Sequence, residues 1–312
     1  MSKILITGGT GFVGANLTRR LLKQGHEIHL FVRPNYQSWR IQDIKTDLRL
    51  HTINLEDEEA LKQRVDRIKP DRIFHLAVHG AYSSQNNLQE IINTNIIGTV
   101  NLLQACIRTD FEVFVNTGSS SEYGYKDYPP TETEWLEPNS YYAITKASAT
   151  LFCRYIAQNQ NLRIPTLRLY SVYGAYEEPT RLMPTLIAQG LKGELPPLVN
   201  PKIARDYVYI DDVIEAYLLA AMMDTGELGA VYNVGTGKQT TLQDVIEIAR
   251  RVLKINAKPE WGSMPDRQWD TSIWVADNRK IQSELGWTPD YTFEQGFQEM
   301  VNWYKQQKRD KR

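Results

Sequence analysis

The sequence predicts an α/β protein, a doubly wound parallel sheet followed by a smaller C-terminal domain. Two observations carry this. Through the first half, short apolar runs alternate with longer segments of helical period, as parallel strands joined by crossover helices require. From about Tyr173 that alternation loosens, and Pro179, Pro184, Pro196, Pro197 and Pro201 punctuate shorter elements. The sheet domain is accordingly expected over residues 1–172 with a returning segment near 204–235. The second domain takes 173–203 and 236–312.

The first strand is Ile4-Leu5-Ile6, and it runs into Thr7-Gly8-Gly9-Thr10-Gly11-Phe12-Val13-Gly14. Val13, Leu17 and Leu21 then recur every four residues along a helix that stops near Gly25. Gly8 suits a tight turn, Gly11 a close approach of backbone N–H groups to a pyrophosphate, and Gly14 close helix–strand packing. Glycines so spaced between a strand and a helix form the phosphate cradle of a Rossmann-type fold, with Phe12 and Val13 at the helix's positive end. Further strands are expected at 27–32, 48–53, 71–76, 112–116 and 163–169. The helices between them are expected at 60–68, 87–107 and 140–158.

The second strand ends in Val32-Arg33-Pro34, with no acidic residue to accept hydrogen bonds from the adenosine ribose. Arg33 instead suits a 2′-phosphate, so NADP(H) is the favoured cofactor and NAD(H) the alternative. Arg40 is a second basic candidate, and a merely solvated Arg33 is the competing reading. Asn54 and Leu55 follow the third strand and are placed beside the adenine. Leu76 and Ala77, at the end of the fourth, line the phosphates. His75 and His79 lie four apart on a strand end and do not share a face, so no metal site is expected. The 36 basic and 37 acidic residues give a net charge of −1, which excludes a nucleic-acid or membrane footprint. Cys106 and Cys153 have no metal or redox spacing, and no apolar run could span a bilayer or act as a signal sequence. A cytoplasmic protein is expected.

The chemistry is expected where the fifth strand enters Thr117-Gly118-Ser119-Ser120-Ser121-Glu122-Tyr123-Gly124, at the carboxyl edge of the sheet where such folds bind ligands. Next comes a helix capped by Asn139 or Ser140, with Tyr142 and Lys146 one turn apart on one face. A phenol with an ordinary pKa near 10 is unsuited to proton transfer at neutral pH. The Lys146 ammonium and an oxidised nicotinamide both favour its phenolate. With a hydroxyl from the preceding loop, these groups can move a proton at an alcohol while hydride passes to or from the cofactor.

Together these pieces resemble the extended short-chain dehydrogenase/reductases of the nucleotide-sugar epimerase/dehydratase family, across essentially the whole chain. The resemblance rests on Thr7 to Gly14, His75-Leu76-Ala77, Asn95 to Gly98, Tyr142 to Lys146, Arg205-Asp206-Tyr207-Val208 and Asn233-Val234-Gly235. It implies a nucleotide-diphosphate sugar as substrate and a homodimer built on the 87–107 and 140–158 helices. Ser119, Tyr142 and Lys146 become the catalytic set, Lys146 also holds the cofactor ribose, and Asn95 joins the cofactor residues. Arg205 and Arg267 resemble the family's diphosphate-binding arginines. Ser83, Ser84, Ser120, Ser121 and Ser171 are candidate sugar contacts. Relatives that eliminate water carry acids directly after the active-site hydroxyl, where this chain has Ser120 and Ser121. The segment is more similar to reductases of 4-keto-6-deoxy nucleotide sugars. Ser171 stands where the family often has Asn. The resemblance implies a reductase acting at C4, and Arg33 adds the NADP(H) preference. A C4 epimerase that retains NAD is the alternative, and a non-catalytic dinucleotide sensor a more distant one.

Overall fold

The computed structural model describes residues 1–82, 84–264 and 271–310. Its central sheet takes five strands from the N-terminal half, β1 (Lys3–Thr7), β2 (Glu27–Val32), β3 (Arg49–Thr52), β4 (Arg72–His75) and β5 (Val113–Ser119), then β6 (Thr166–Leu169). Helices α1 (Phe12–Lys23), α2 (Glu58–Ile68), α3 (Leu88–Ile92), α4 (Gly98–Ile107) and α5 (Tyr141–Gln160) connect them. The later elements are β7 (Ser171–Tyr173), α6 (Leu182–Gly190), β8 (Ala204–Arg205), β9 (Tyr207–Tyr209) and α7 (Ile210–Met222). They continue with β10 (Val231–Val234), β11 (Thr240–Thr241), α8 (Leu242–Leu253), α9 (Arg279–Leu285) and α10 (Phe293–Asp310). The seven-stranded sheet runs in the order β3-β2-β1-β4-β5-β6-β10, and every neighbouring pair is parallel. The strand order reverses between β1 and β4, which opens the crevice at their carboxyl ends.

The central strands are buried on both faces, which is why they read as continuous apolar runs. Ile4 and Ile6 point into a core shared with α1 and α7, while Leu5, Ile73 and Phe114 point into a second core under α2, α4 and α5. The first core continues into the C-terminal elements through Tyr173, Met183, Leu186, Trp287 and Phe297. Two small separate sheets, β7 with β9 and β11 with β8, tie those elements to one another.

Two helices differ from the sequence expectation. The single helix expected over 87–107 is α3, a π-helical turn at Asn93–Ile97, and α4. The wider turn admits one extra residue and re-aims Asn95 into the protein. The α5 cap is resolved in favour of Ser140, whose side chain accepts from the Ala143 N–H. The fifth strand runs past residue 116 to deliver Ser119 at its very end.

Candidate active site

The glycine loop after β1 is a tight turn. Gly8 has φ of +72°, and a Cβ there would lie 2.5 Å from the Leu76 carbonyl carbon. Gly14 lies against Gly8, where a Cβ would come within 2.2 Å of the Gly8 oxygen. Helix α1 thus rests directly on the turn. It starts at Gly11 with no capping side chain and no acid in its first turn, so its N–H groups keep their positive end. At Gly11 a Cβ would meet only the Gly8 oxygen, at 3.2 Å. Phe12 and Val13 are half-buried beside it.

Behind the loop, a relay of hydrogen bonds ties β1 to β4 and α4. The Ala77 N–H donates to Thr7 Oγ1 (3.2 Å), and that hydroxyl donates to His75 Nδ1 (2.7 Å). His75 Nε2 then donates to Thr99 Oγ1 (2.8 Å), whose hydrogen goes to the Asn95 carbonyl (2.7 Å). Burial, aided by the Lys146 charge, pushes His75 down to about 3, so the ring is neutral. The Asn95 amide accepts from the His79 N–H and donates to the His79 carbonyl and Thr145 Oγ1. Both of its donors are occupied within the protein, so Asn95 clamps the β4 loop to α5.

At the reaction end, Ser119 is 7% exposed and caps the short 3₁₀ turn Ser120–Tyr123. The half-buried Tyr142 faces it. Burial pushes the Tyr142 phenol above its ordinary value, while a side-chain hydrogen bond with Ser119 pulls it back. The lowered phenol expected from the sequence is not what these residues produce alone, because burial outweighs the charges around it. Lys146 is 4% exposed, and its ammonium has no hydrogen bond or ion pair among the described residues. Burial pushes Lys146 down, and the Glu122 charge opposes this. An ammonium on so buried a side chain is suited to hydroxyl acceptors such as those of a ribose. With the open Gly11 backbone and the uncapped α1, it makes the residues present fit a dinucleotide.

At the adenosine end, Arg33 is exposed and lies within electrostatic reach of His79, whose ring is held down chiefly by burial. Arg40 is placed differently from expectation. It is 6% exposed, with Nε on the Tyr176 carbonyl and Nη2 on Glu178 (both 2.8 Å), so it joins the β2 loop to the β7 loop and is not open to a phosphate. Asn54 is exposed and turns its side chain onto the Glu56 N–H, while Leu55 packs against Gly98. Leu76 is buried at the end of β4.

Among the candidate sugar contacts, Ser120 Oγ accepts from Trp274 Nε1 (3.1 Å) and Ser121 is half-buried with its N–H on Ser119 Oγ. Ser84 is exposed, and Ser171 donates its N–H to the Asp206 carbonyl. Arg205 donates to the Ala204 and Thr271 carbonyls and stacks its guanidinium 5.6 Å from the Trp274 ring. Trp274 thus bridges the Ser loop and Arg205. Ser83 and Arg267 lie outside the described residues.

Three residues that the sequence motifs contain, with no role assigned to them there, support the site. Glu122 is fully buried against Arg168, whose place between the apolar Leu167 and Leu169 is the one signal that a buried partner exists. Asp206 accepts from Thr236 Oγ1 and from the Thr236, Gly237 and Ala276 N–H groups, tying β8 to the β10 loop. Asn233 receives the Tyr123 hydroxyl and donates to the Pro130 and Asp277 carbonyls. Among the described residues no group of three or more His, Cys, Asp or Glu side chains is placed to hold a metal, and no helix is long and apolar enough to cross a membrane.

Comparison with known proteins agrees with this geometry. The NAD dependent epimerase/dehydratase family profile matches residues 4–235. A dTDP-glucose 4,6-dehydratase of Xanthomonas campestris is 27% identical, over 97% of this chain and 93% of its own. The structure of UDP-glucose 4-epimerase from Thermotoga maritima with UDP-glucose superposes with a TM-score of 0.88 at 26% identity, covering 98% of this chain and 99% of that one. UDP-glucuronic acid 4-epimerase from Bacillus cereus, solved with UDP-glucuronic acid and NAD, superposes with a TM-score of 0.86 at 26% identity and the same coverage. With the parallel sheet, the glycine cradle and the Ser/Tyr/Lys cluster, these matches place the chain in the NAD-dependent epimerase/dehydratase family of extended short-chain dehydrogenase/reductases.

Proposed function

We propose that the protein is an NADP(H)-preferring oxidoreductase acting at C4 of a nucleotide-diphosphate sugar, reducing a 4-keto-6-deoxyhexose. The observation that carries this reading is the absence of a usable acid beside Ser119. Ser120 and Ser121 follow it, and the Glu122 carboxylate is spent on the Ser119 N–H, Thr150 Oγ1 and Arg168 Nε. A dehydratase needs an acid and a base at C5 and C6, and a C4 reduction needs neither. The exposed Arg33 at the β2 end supports the NADP(H) preference.

In this reading the bound dinucleotide supplies the hydride. Tyr142 gives its proton to the C4 oxygen, and Ser119 holds that oxygen in line with the phenol. Lys146 binds ribose hydroxyls and favours the phenolate left behind. The Gly8–Gly14 turn and the α1 N-terminus hold the pyrophosphate, with Leu76 and Ala77 beside it. Arg205 binds the substrate's diphosphate, with Ser84, Ser120, Ser121 and Ser171 along the sugar.

A retained-NAD C4 epimerase is the second reading, supported by 4-epimerases among the structural relatives. Denaturing the purified protein and identifying any released dinucleotide separates the two. An empty protein that binds NADPH well ahead of NADH supports the reductase, and stoichiometric NAD overturns it in favour of the epimerase. Under either reading Tyr142→Phe should cut turnover about 10³-fold and leave cofactor affinity within twofold.

The same reading includes a homodimer. Ile144, Leu151, Phe152 and Tyr155 form an exposed apolar stripe along α5, and Ile97 lies exposed at the start of α4. Such a stripe at helical spacing suits a second copy of the same helices. Leu151→Glu should convert the protein to a monomer by light scattering.

A further inference from the structure

Glu122 occupies the junction of the three elements that build the reaction end. Its Oε1 accepts from the Ser119 N–H at 2.8 Å and from Thr150 Oγ1 at 3.1 Å. Its Oε2 accepts from Arg168 Nε at 2.8 Å. Thr150 lies one turn beyond Lys146 and two beyond Tyr142, on the same run of buried α5 positions. One carboxylate oxygen therefore holds both the backbone of the candidate hydroxyl and the helix that carries the candidate phenol and ammonium. Arg168 makes the burial of that carboxylate tolerable and is itself anchored by donating Nη1 to the Tyr123 hydroxyl at 2.8 Å, which donates in turn to Asn233.

We infer that Glu122 is a positioning residue: by bridging Ser119 and Thr150 it sets the separation between the Ser119 hydroxyl and the Tyr142 phenol. This rests on the reading that Ser119 and Tyr142 act together on one oxygen. The carboxylate is required at this position, because four acceptor lone pairs face three donors. A glutamine turns one of its two ends into a donor, and that end must meet either the Arg168 N–H or the Ser119 and Thr150 donors.

The test uses Glu122→Gln together with Thr150→Val, which removes one hydroxyl and leaves the Glu122–Arg168 pair intact. In the dinucleotide-bound protein, the Tyr142 phenolate is titrated by its ultraviolet absorbance against a Tyr142→Phe reference, a readout independent of the sugar used. With Ser119 loosened, its hydrogen bond to the phenol weakens, and Thr150→Val should titrate roughly half a pH unit or more above the parent. Glu122→Gln also removes a charge that raises the phenol, so it should rise less than Thr150→Val. With a turned-over sugar, Thr150→Val should lower kcat about tenfold with KM and cofactor affinity within twofold. In a Ser119→Ala background the same substitution should cost nothing further. The inference is overturned if folded Thr150→Val titrates with the parent, or if its loss in kcat is the same with and without Ser119. If Glu122→Gln does not fold, Thr150→Val decides alone. If no nucleotide sugar is turned over, the proposed reaction is wrong, and the titration still decides the position of Ser119.

Discussion

Two buried glutamates flank the reaction end, and they are treated in opposite ways. Glu122, on its floor, is 0% exposed and receives three hydrogen bonds, one from a guanidinium that is itself buried. Glu177, in the loop after β7, is 7% exposed, yet its Oε2 has no partner, and its nearest cation, Arg181, stands 3.7 Å from the other oxygen. Glu177 follows Tyr176, which holds a φ of +67° between the Arg19 guanidinium and the Trp303 ring. The left-handed backbone of a bulky residue is costly and persists because its surroundings fix it. The floor is a saturated network, while the loop carries a carboxyl whose burial is only partly offset by Arg181. The comparison teaches that similar burial leaves one carboxylate fully satisfied and the other with an unpaired oxygen.

Breaking the floor should have the largest effect. Arg168→Met leaves Glu122 buried without its cation and should cost about 3–5 kcal/mol, read as a lower denaturation midpoint in urea. Removing both charges with Arg168→Met and Glu122→Leu should recover most of that stability without recovering turnover.

The loop should respond in the opposite direction and with pH. Burial pushes Glu177 up to about 8, so the folded protein holds a proton that the unfolded chain releases above its ordinary carboxylate range. Stability therefore falls as pH rises from about 4.5 to about 8, and then levels off. Glu177→Gln should abolish that decline and gain a few kcal/mol at pH 8.5, while matching the parent near pH 4. Equal pH dependence in the two proteins would place the loss elsewhere.

The smallest effect lies at the exposed end of the crevice. Arg33→Ala removes an exposed guanidinium that makes no hydrogen bond or ion pair among the described residues, so thermal stability should hold while NADPH affinity weakens about tenfold and NADH affinity stays within twofold. An unchanged NADPH affinity would remove Arg33 from cofactor selection.

What the sequence made legible divides along the same line. The glycine turn, the strands up to β6, and the Tyr142–Lys146 face are local patterns, spaced by the periods of strand and helix, and they can be read residue by residue. The floor cannot. Glu122 meets Arg168 across 46 positions, Tyr123 meets Asn233 across 110, and Glu132 receives the Asn233 N–H across 101. Such partners are joined only by the closing of the sheet. Arg40 illustrates the reverse error. Its position after β2 suggested a phosphate, and the β7 loop, 136 residues on, claims it instead. Asn95 is a cofactor residue only by the family resemblance, and nothing in the sequence marks the π-helical turn that swings it inward.

The relay through Thr7, His75 and Thr99 has a consequence for the imidazole at its centre. It begins on the Ala77 backbone N–H, which can only give, and ends on the Asn95 carbonyl, which can only receive. Its polarity is thereby fixed, and no link can reverse without stranding a buried donor. With every donor and acceptor along it matched, the relay holds the His75 imidazole in one tautomer, Nδ1 accepting and Nε2 donating.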